Sequence, residues 1–416
     1  MESGPERRPR LAVAFDAAAI APLQLHDAVG ELCDLIWLID TTLSHVGPVD
    51  RLLGRLGTVI DITGLPTDEV ADALASQQAD GIVAFSDRRV ALVADLADRL
   101  GLAGMSPAVA ERVLDKFHQR RAFEAAGLPG PRAWRVGAND DLGRHEVVRA
   151  ARFPVVVKPE MGDASRHVQA ADDEQRLVEL LGLAQAAGRD SVVEEFIVGD
   201  PDFRSDLGDY VSVESVAAGG VITHLAVTGR FPVAEPFRET GFFMPALLEH
   251  RLQRRVLDVA SAAIAALGVE DGCLHTEIKL TPAGPQIIEV NGRLGGGMAD
   301  LLGLVSEVDL FELVARVALR LPVEHHGVVD LDRVAYLFYV QPPMGATRVS
   351  SVVGLEELRG RPEVANLRLN REPGSALDWR DGNHGYVFSV LGTVDSIGEL
   401  VELERVIGRT VTATFE

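Results

Sequence analysis

Apolar and polar positions follow different rhythms in successive parts of this chain. Between residues 11 and 110, four short apolar runs, Leu11–Phe15, Leu35–Ile39, Thr58–Ile62 and Gly81–Phe85, alternate with stretches of helical periodicity. That spacing predicts buried parallel strands joined by helical crossovers, an open α/β sheet of Rossmann-like kind. No G-x-G-x-x-G follows the first run, which argues against a dinucleotide cofactor. Ser106-Pro107 reads as a helix N-cap and first-turn proline, and the helix is expected to carry Asp115-Lys116 and to end at Gly127. Phe153–Pro159 is an apolar strand ending in Lys158, followed by a polar loop, Glu160–Arg166. Residues 173–187 are periodic as a helix, and Ser191–Val198 as a strand.

Further on, Asp200–Asp209 is acidic and turn-like. Tyr210–Val216 alternates as a strand and turns at Gly219-Gly220 into Val221–Thr228. A polar, proline-containing connection follows from Gly229 to Pro245, and residues 249–267 form a helix closed by Gly268. Asp309–Leu321 is helical and Pro322–Gly327 reads as a linker, with His325-His326 in it forming no metal constellation. The last stretch has α+β rhythm, with strands near Val334–Val340 and Gly385–Leu391 and helices near Gly354–Arg359 and Ser396–Ile407.

The most informative pattern is a predicted hairpin. Cys273–Leu280 alternates, Thr281–Pro285 is turn chemistry, and Gln286–Asn291 alternates back. A turn centred on Ala283 sets Glu277 opposite Glu289 and His275 opposite Asn291. One face then carries His275, Glu277, Lys279, Glu289 and Asn291, and the other Thr276, Ile278, Leu280, Ile288 and Val290. Like charges directly opposite on a sheet are destabilising. Two facing carboxylates and an amide oxygen become favourable around a hard cation such as Mg²⁺, which takes one or two carboxylates plus substrate phosphates. The plain alternative is a solvated sheet face. Arg293 and Gly295-Gly296-Gly297, immediately after the hairpin, weigh against it: arginine suits phosphate or carboxylate, and a glycine run lets backbone N–H groups approach an anion.

Composition narrows the classes. The chain has 416 residues, enough for two or three domains, and 47% hydrophobic with 25% charged residues is ordinary for a soluble protein. A net charge of −22 argues against non-specific nucleic-acid binding or docking on an anionic membrane. Two cysteines, Cys33 and Cys273, imply no disulfide framework, and no apolar stretch reaches transmembrane length. Asp16 interrupts the apolar run after Arg7-Arg8-Pro9-Arg10 too early for a signal peptide, so the cytoplasm is the expected location.

In order, the Asp115-Lys116 helix, Val155–Pro159, Val193–Ile197, Tyr210–Glu214 and the Glu277/Glu289/Asn291/Arg293 hairpin resemble the ATP-grasp superfamily of carboxylate–amine ligases. The resemblance implies an α/β and α+β ATP-grasp fold. Residues 1–105 would be a Rossmann-like pre-ATP-grasp domain, 106–321 the ATP-grasp region with a lid at about 128–195, and 322–416 a C-terminal α+β module. It implies ATP and one or two Mg²⁺ ions, with Mn²⁺ as a substitute, as cofactors. Lys116 and Lys158 would contact ATP phosphates, with Ser165 and Arg166 in the phosphate-covering loop, which has Gly162 as its only glycine. Glu194, Glu195, Phe196 and Ile197 would grip adenine, with backbone groups of Phe196 and Ile197 reading the base edge, and Asp209 would lie near the ribose. Glu277, Glu289 and Asn291 would hold the metal. Arg293 would neutralise the transferring phosphoryl group, and Gly295–Gly297 would hold a substrate carboxylate or oxyanion. For Lys116 the alternative is a solvated helix lysine, and for His275 a satisfied structural histidine rather than a polar residue behind the metal ligands.

The C-terminal half is similar to the L-amino acid ligases, which form dipeptides. Thr228–Phe231 through Pro236–Pro245, Tyr339–Gly345 and Gly385–Phe388 carry that likeness. Glu239 then binds an ammonium or orders the site, or is a surface glutamate. The resemblance implies amino-acid substrates, one giving a carboxylate and one an amine, with neither nucleic acid nor membrane as partner. Homodimers are common among such ligases. A carboxylase of biotin carboxylase type and a non-catalytic ATP-binding regulator are the rival expectations. This chain has no biotinyl Ala-Met-Lys-Met-like site, and it retains the metal-ligand residues a regulator would have lost.

Overall fold

The computed structural model describes residues 7–16, 20–43, 46–47, 49–204, 206–324 and 327–416; His325 and His326 lie outside them. The four apolar runs near the start form parallel strands, Arg10–Ala14, Asp34–Ile39, Thr58–Asp61 and Gly81–Ala84. Across the sheet the third strand lies outermost, then the second, the first and the fourth. The first and fourth strands are neighbours although their crossovers leave in opposite directions. That is the switch point where ligands bind in open α/β sheets. Asp16, Ser86 and Asp87 follow the carboxyl ends of these two strands and face the main cleft.

The single helix expected from Ser106 to Gly127 is two: Pro107–Leu114 and Lys116–Ala125. Asp115 lies between them in extended conformation (φ −93°, ψ 113°), and its carboxylate accepts the His118 N–H at 2.9 Å. Aspartate stabilises a helix start better than a helix interior, so it ends one helix and caps the next. The break makes Lys116 the first residue of a helix aimed at the cleft.

Residues 133–195 contribute a separate four-stranded antiparallel sheet. Its strands Ala133–Val136, Ser191–Glu195, Val155–Pro159 and Gln169–Ala171 pack with the helix Glu174–Ala186 around their own core of Trp134, Val155, Leu177, Leu181 and Val193.

An eight-stranded antiparallel sheet organises the remainder. It runs Gly284–Asn291, Gly272–Thr281, Tyr210–Ala218, Val221–Arg230, Gly241–Met244, Val334–Val340, Phe388–Val394, Val364–Leu369. Strand Gly241–Met244 lies inside the stretch expected as a connection. It pairs Gly229 with Phe243 on one side and Gly241 with Phe338 on the other. The C-terminal strands thereby continue the hairpin's own sheet. Gly229 makes this pairing possible, because a Cβ there would run into the Phe243 ring. The helix His250–Leu267 covers one face of the sheet with Val256, Ala260, Ile264 and Leu267.

Candidate active site

Where the parallel sheet, the smaller sheet and the eight-stranded sheet meet, a cleft of about 1190 Å³ opens. Its floor is the predicted hairpin. Glu277 pairs with Glu289 and His275 with Asn291, as the alternation predicts. The turn itself is tighter than expected: Thr281 pairs with Gly284, and a bulge between Glu277 and Ile278 takes up the extra residue. The bulge exchanges the two isoleucines. Ile287 is fully buried, while Ile288, expected on the core face, lines the cleft.

Charge is dense on this floor. Lys116 Nζ lies 3.4 Å from Glu289 Oε2 and donates to Gly162 O at 2.8 Å. It is therefore an inward lysine and not a solvated one; burial would lower its pKa, but Glu289 and Asp87 outweigh that and raise it. Burial likewise would raise Glu277, yet His275, Arg230 and Arg293 hold it down at about 2. His275 gives Nδ1 to Glu214 at 2.5 Å and sets Nε2 3.5 Å from Glu277. Against the lowering effect of burial, these two carboxylates push the imidazole up to about 9. Arg230 Nη2 approaches His275 Nε2 at 3.3 Å, a hydrogen bond when the ring is neutral and a like-charge contact when it is protonated.

Among the described residues, no three His, Cys, Asp or Glu side chains gather into a metal cage. Mg²⁺ does not need one: two opposed carboxylates open to a cleft suit an ion that takes its other ligands from phosphates and water. The Lys116 ammonium on Glu289 shows that this pair attracts a cation. Asn291 turns its amide nitrogen toward Glu289 Oε1 (3.4 Å) and His275 O (3.5 Å), so a ligand role would require its other face.

Arg293 points into the cleft but is already held. Its Nε and Nη2 donate to Asp87 Oδ2 at 2.9 and 2.7 Å. The glycine run divides its tasks. The Gly295 N–H, expected to face a substrate anion, instead donates to Glu214 Oε2 at 3.1 Å, and a Cβ on Gly295 would collide with His275. Gly296 and Gly297 line the cleft, and Gly297 (φ +76°) starts the helix Met298–Val305.

On the opposite wall, Lys158 Nζ pairs with Glu194 Oε2 at 2.8 Å, and Arg120 Nη2 reaches Glu194 Oε1 at 3.1 Å. Both Glu194 oxygens are thus occupied by cations. The Phe196 N–H, expected to read a base edge, donates to Pro154 O at 3.0 Å. Glu195 and Ile197 line the cleft, and Phe196 faces Phe237 with ring centroids 6.3 Å apart. Asp209 also lines it and binds Lys279 Nζ at 2.5 Å. The loop Glu160–Arg166 covers the cleft in strained backbone, with Ala164 and Ser165 at φ +55° and +56°. Arg166 is turned to Asp163 at 2.7 Å.

Glu239 is a cleft residue and not a surface one. Burial, with help from Glu277, raises its pKa, and Arg230 opposes. The residues around it escape sequence reasoning. Arg230 is 1% exposed, with Nε 3.5 Å from Glu239 Oε1. Asn383 Nδ2 donates to Glu239 Oε2 at 3.0 Å. Glu214, the cross-strand neighbour of His275, is fully buried. A charged residue inside an alternating apolar strand was the available signal for Glu214, and the carboxyl end of the fourth parallel strand for Asp87.

An ATP-grasp domain profile matches residues 151–300. The chain is 26% identical over 381 residues to uncharacterized protein y4rH of Sinorhizobium fredii, covering 88% of this chain and 71% of that protein. It is 27% identical over 266 residues to alanine–anticapsin ligase of Bacillus subtilis, covering 59% of this chain and 55% of the ligase. It thus spans about half the length of that enzyme. An L-amino acid ligase structure from Bacillus licheniformis superposes with a TM-score of 0.79 at 22% identity, over 99% of this chain and all of that one. No helix among the described residues is long and apolar enough to cross a membrane. Residues 151–300 thus match an ATP-grasp domain, the chain has the ATP-grasp fold, and it is similar to carboxylate–amine ligases of that superfamily, L-amino acid ligases among them.

Proposed function

We propose that this protein is an ATP-dependent carbon–nitrogen ligase that activates a carboxylate, that of an amino acid, as an acyl phosphate. An amine then displaces phosphate to give an amide or peptide bond, with ADP and phosphate as products. The observation that carries this is the directly opposed Glu277–Glu289 pair on the cleft floor, with Lys116 on Glu289, Arg293 lining the same cleft and Lys158 on the opposite wall. Such a pair is costly by itself and suits a nucleotide phosphate chain with its cation.

Mg²⁺ held by Glu277 and Glu289 would neutralise phosphate charge. Lys116 and Lys158 bind ATP phosphates from two sides, with Ser165 in the loop above them. Glu195, Phe196, Ile197 and Asp209 form the adenosine end. Arg293, oriented by Asp87, meets the negative charge that passes from the phosphoryl group to the acyl phosphate. Catalysis of this kind is positioning and charge neutralisation. The subdomain at about 128–195 acts as a lid that excludes water, without which an acyl phosphate would hydrolyse. Glu239 receives an ammonium group of an amino-acid substrate.

The test is ADP release by the purified chain with Mg-ATP, screened against amino acids singly and in pairs, with mass spectrometry of the products. Amino-acid-dependent release with a new amide supports the ligase. Release with bicarbonate alone points to carboxylase chemistry. Glu289→Gln and Arg293→Ala should abolish turnover, by about a thousandfold or more, while the protein stays folded. Ordinary ADP release in both variants would remove the site assignment.

A further inference from the structure

The loop expected to cover the nucleotide phosphates and the carboxylate expected to meet an amino-acid substrate are joined through one residue, Asn383. Its backbone N–H donates to Ala164 O, in the loop, at 2.8 Å. Its side chain grips Glu239 twice: Oδ1 accepts the Glu239 N–H at 2.8 Å, and Nδ2 donates to Glu239 Oε2 at 3.0 Å. Gln341 braces the pair, with Nε2 2.8 Å from Glu239 O. The neighbouring Gly382 lies at φ +63°, where a Cβ would run into Ala164 O and the Arg166 N–H. Three segments remote in sequence thus meet at a contact with no slack.

We propose that Asn383 is a positioning residue that couples nucleotide binding to amino-acid binding. The inference rests on the ligase function proposed above, for the roles of the loop and of Glu239. With the loop in this position, Asn383 is fixed from its backbone side, so Glu239 Oε2 is held while Oε1 stays 3.5 Å from Arg230 Nε on the cleft side. An amino acid whose ammonium meets Glu239 stabilises the same arrangement and so favours the covered loop. Each ligand then binds the other's preferred state more tightly, and by linkage the two factors are equal. The loop closes best when an amino substrate is present, which keeps ATP from being spent on water.

The experiment is calorimetric titration of the full chain with Mg²⁺ and the non-hydrolysable adenylyl imidodiphosphate, with and without each proteinogenic L-amino acid. The wild type should bind nucleotide about fivefold or more tightly when an amino acid is bound, and the reverse by the same factor. In Asn383→Ala that factor should fall to about one, whatever the variant's affinity for either ligand alone. A merely structural role would lower both affinities together. Gly382→Ala, which keeps Asn383 but crowds the loop, should uncouple the ligands in the same way. A wild type without coupling, or an Asn383→Ala variant that keeps it, overturns the inference. Coupled binding in this titration, with no amide product in the Mg-ATP screen described above, overturns the ligase chemistry and leaves the coupling through Asn383 standing.

Discussion

Two buried arginines face each other's problem from opposite sides. Arg120, on the helix Lys116–Ala125, is satisfied in every direction: Glu194 Oε1 lies at 3.1–3.2 Å, Ile287 O at 3.0 Å and Ile288 O at 2.7 Å. Arg230, at the end of the strand Val221–Arg230, is equally buried and unsatisfied. Its Nε and Nη1 have no hydrogen-bond partner among the described residues, and Nη2 meets only His275. Aromatic faces of Phe242 and Tyr210 lie 5.0 and 5.7 Å from its guanidinium carbon. Burying a donor without an acceptor costs free energy that a fold has no reason to retain. Arg120 ties the smaller sheet to the hairpin and is architecture. Arg230 lines the cleft beside Glu239, and under the function proposed above it would act there and not as architecture.

The largest expected effect is on the satisfied member. Arg120→Met leaves Glu194 and Lys158 buried with their network broken, and should destabilise the chain by about 3–5 kcal/mol in denaturant titration. Arg230→Met removes a cation that makes no good hydrogen bond to a carboxylate but sits against Glu239, so it should destabilise the chain less than Arg120→Met does, by about 1–3 kcal/mol. Its effect should fall on turnover: ADP release drops about a hundredfold, since a cation beside Glu239 and Glu277 is lost from the reacting end. Equal losses of stability in the two variants would erase the distinction between them.

The same contrast sets what can be read from residues alone. The hairpin was legible because alternation and a short turn fix register locally, so Glu277 and Glu289 could be paired from twelve positions apart. The bulge that exchanges Ile287 and Ile288 was not, because it shifts register by one residue inside an otherwise regular pattern. Asp115 looked like one more polar residue on a helix until its capping role divided that helix. Strand Gly241–Met244 was hidden by its brevity and by Pro236 and Pro245 around it. Arg120–Glu194, Glu239–Asn383 and Arg293–Asp87 join residues 74, 144 and 206 positions apart. Only packed domains bring such pairs together, so neither periodicity nor spacing announces them.

A smaller effect sharpens the comparison through pH. Burial by itself would raise the Glu194 carboxyl, but Arg120 and Lys158 outweigh it and hold its pKa below the ordinary 4.5. A folded value below the unfolded one means that the ionised carboxylate stabilises the fold. That contribution is fully present above about pH 4.5 and is lost as pH falls toward the depressed folded value. Stability of the wild type, measured by denaturant midpoint in steps below pH 5, should therefore fall with acid. Glu194→Gln begins less stable, because Arg120 and Lys158 lose their counter-charge, yet its acid slope should be shallower by the missing proton. Arg230→Met leaves Glu194 and both of its cations in place, so adding Glu194→Gln to it should make the acid slope shallower by the same proton as in the wild type. An acid slope in Glu194→Gln as steep as the wild type would mean that other carboxylates set the acid limit, and that the Arg120 network is less central than its geometry implies.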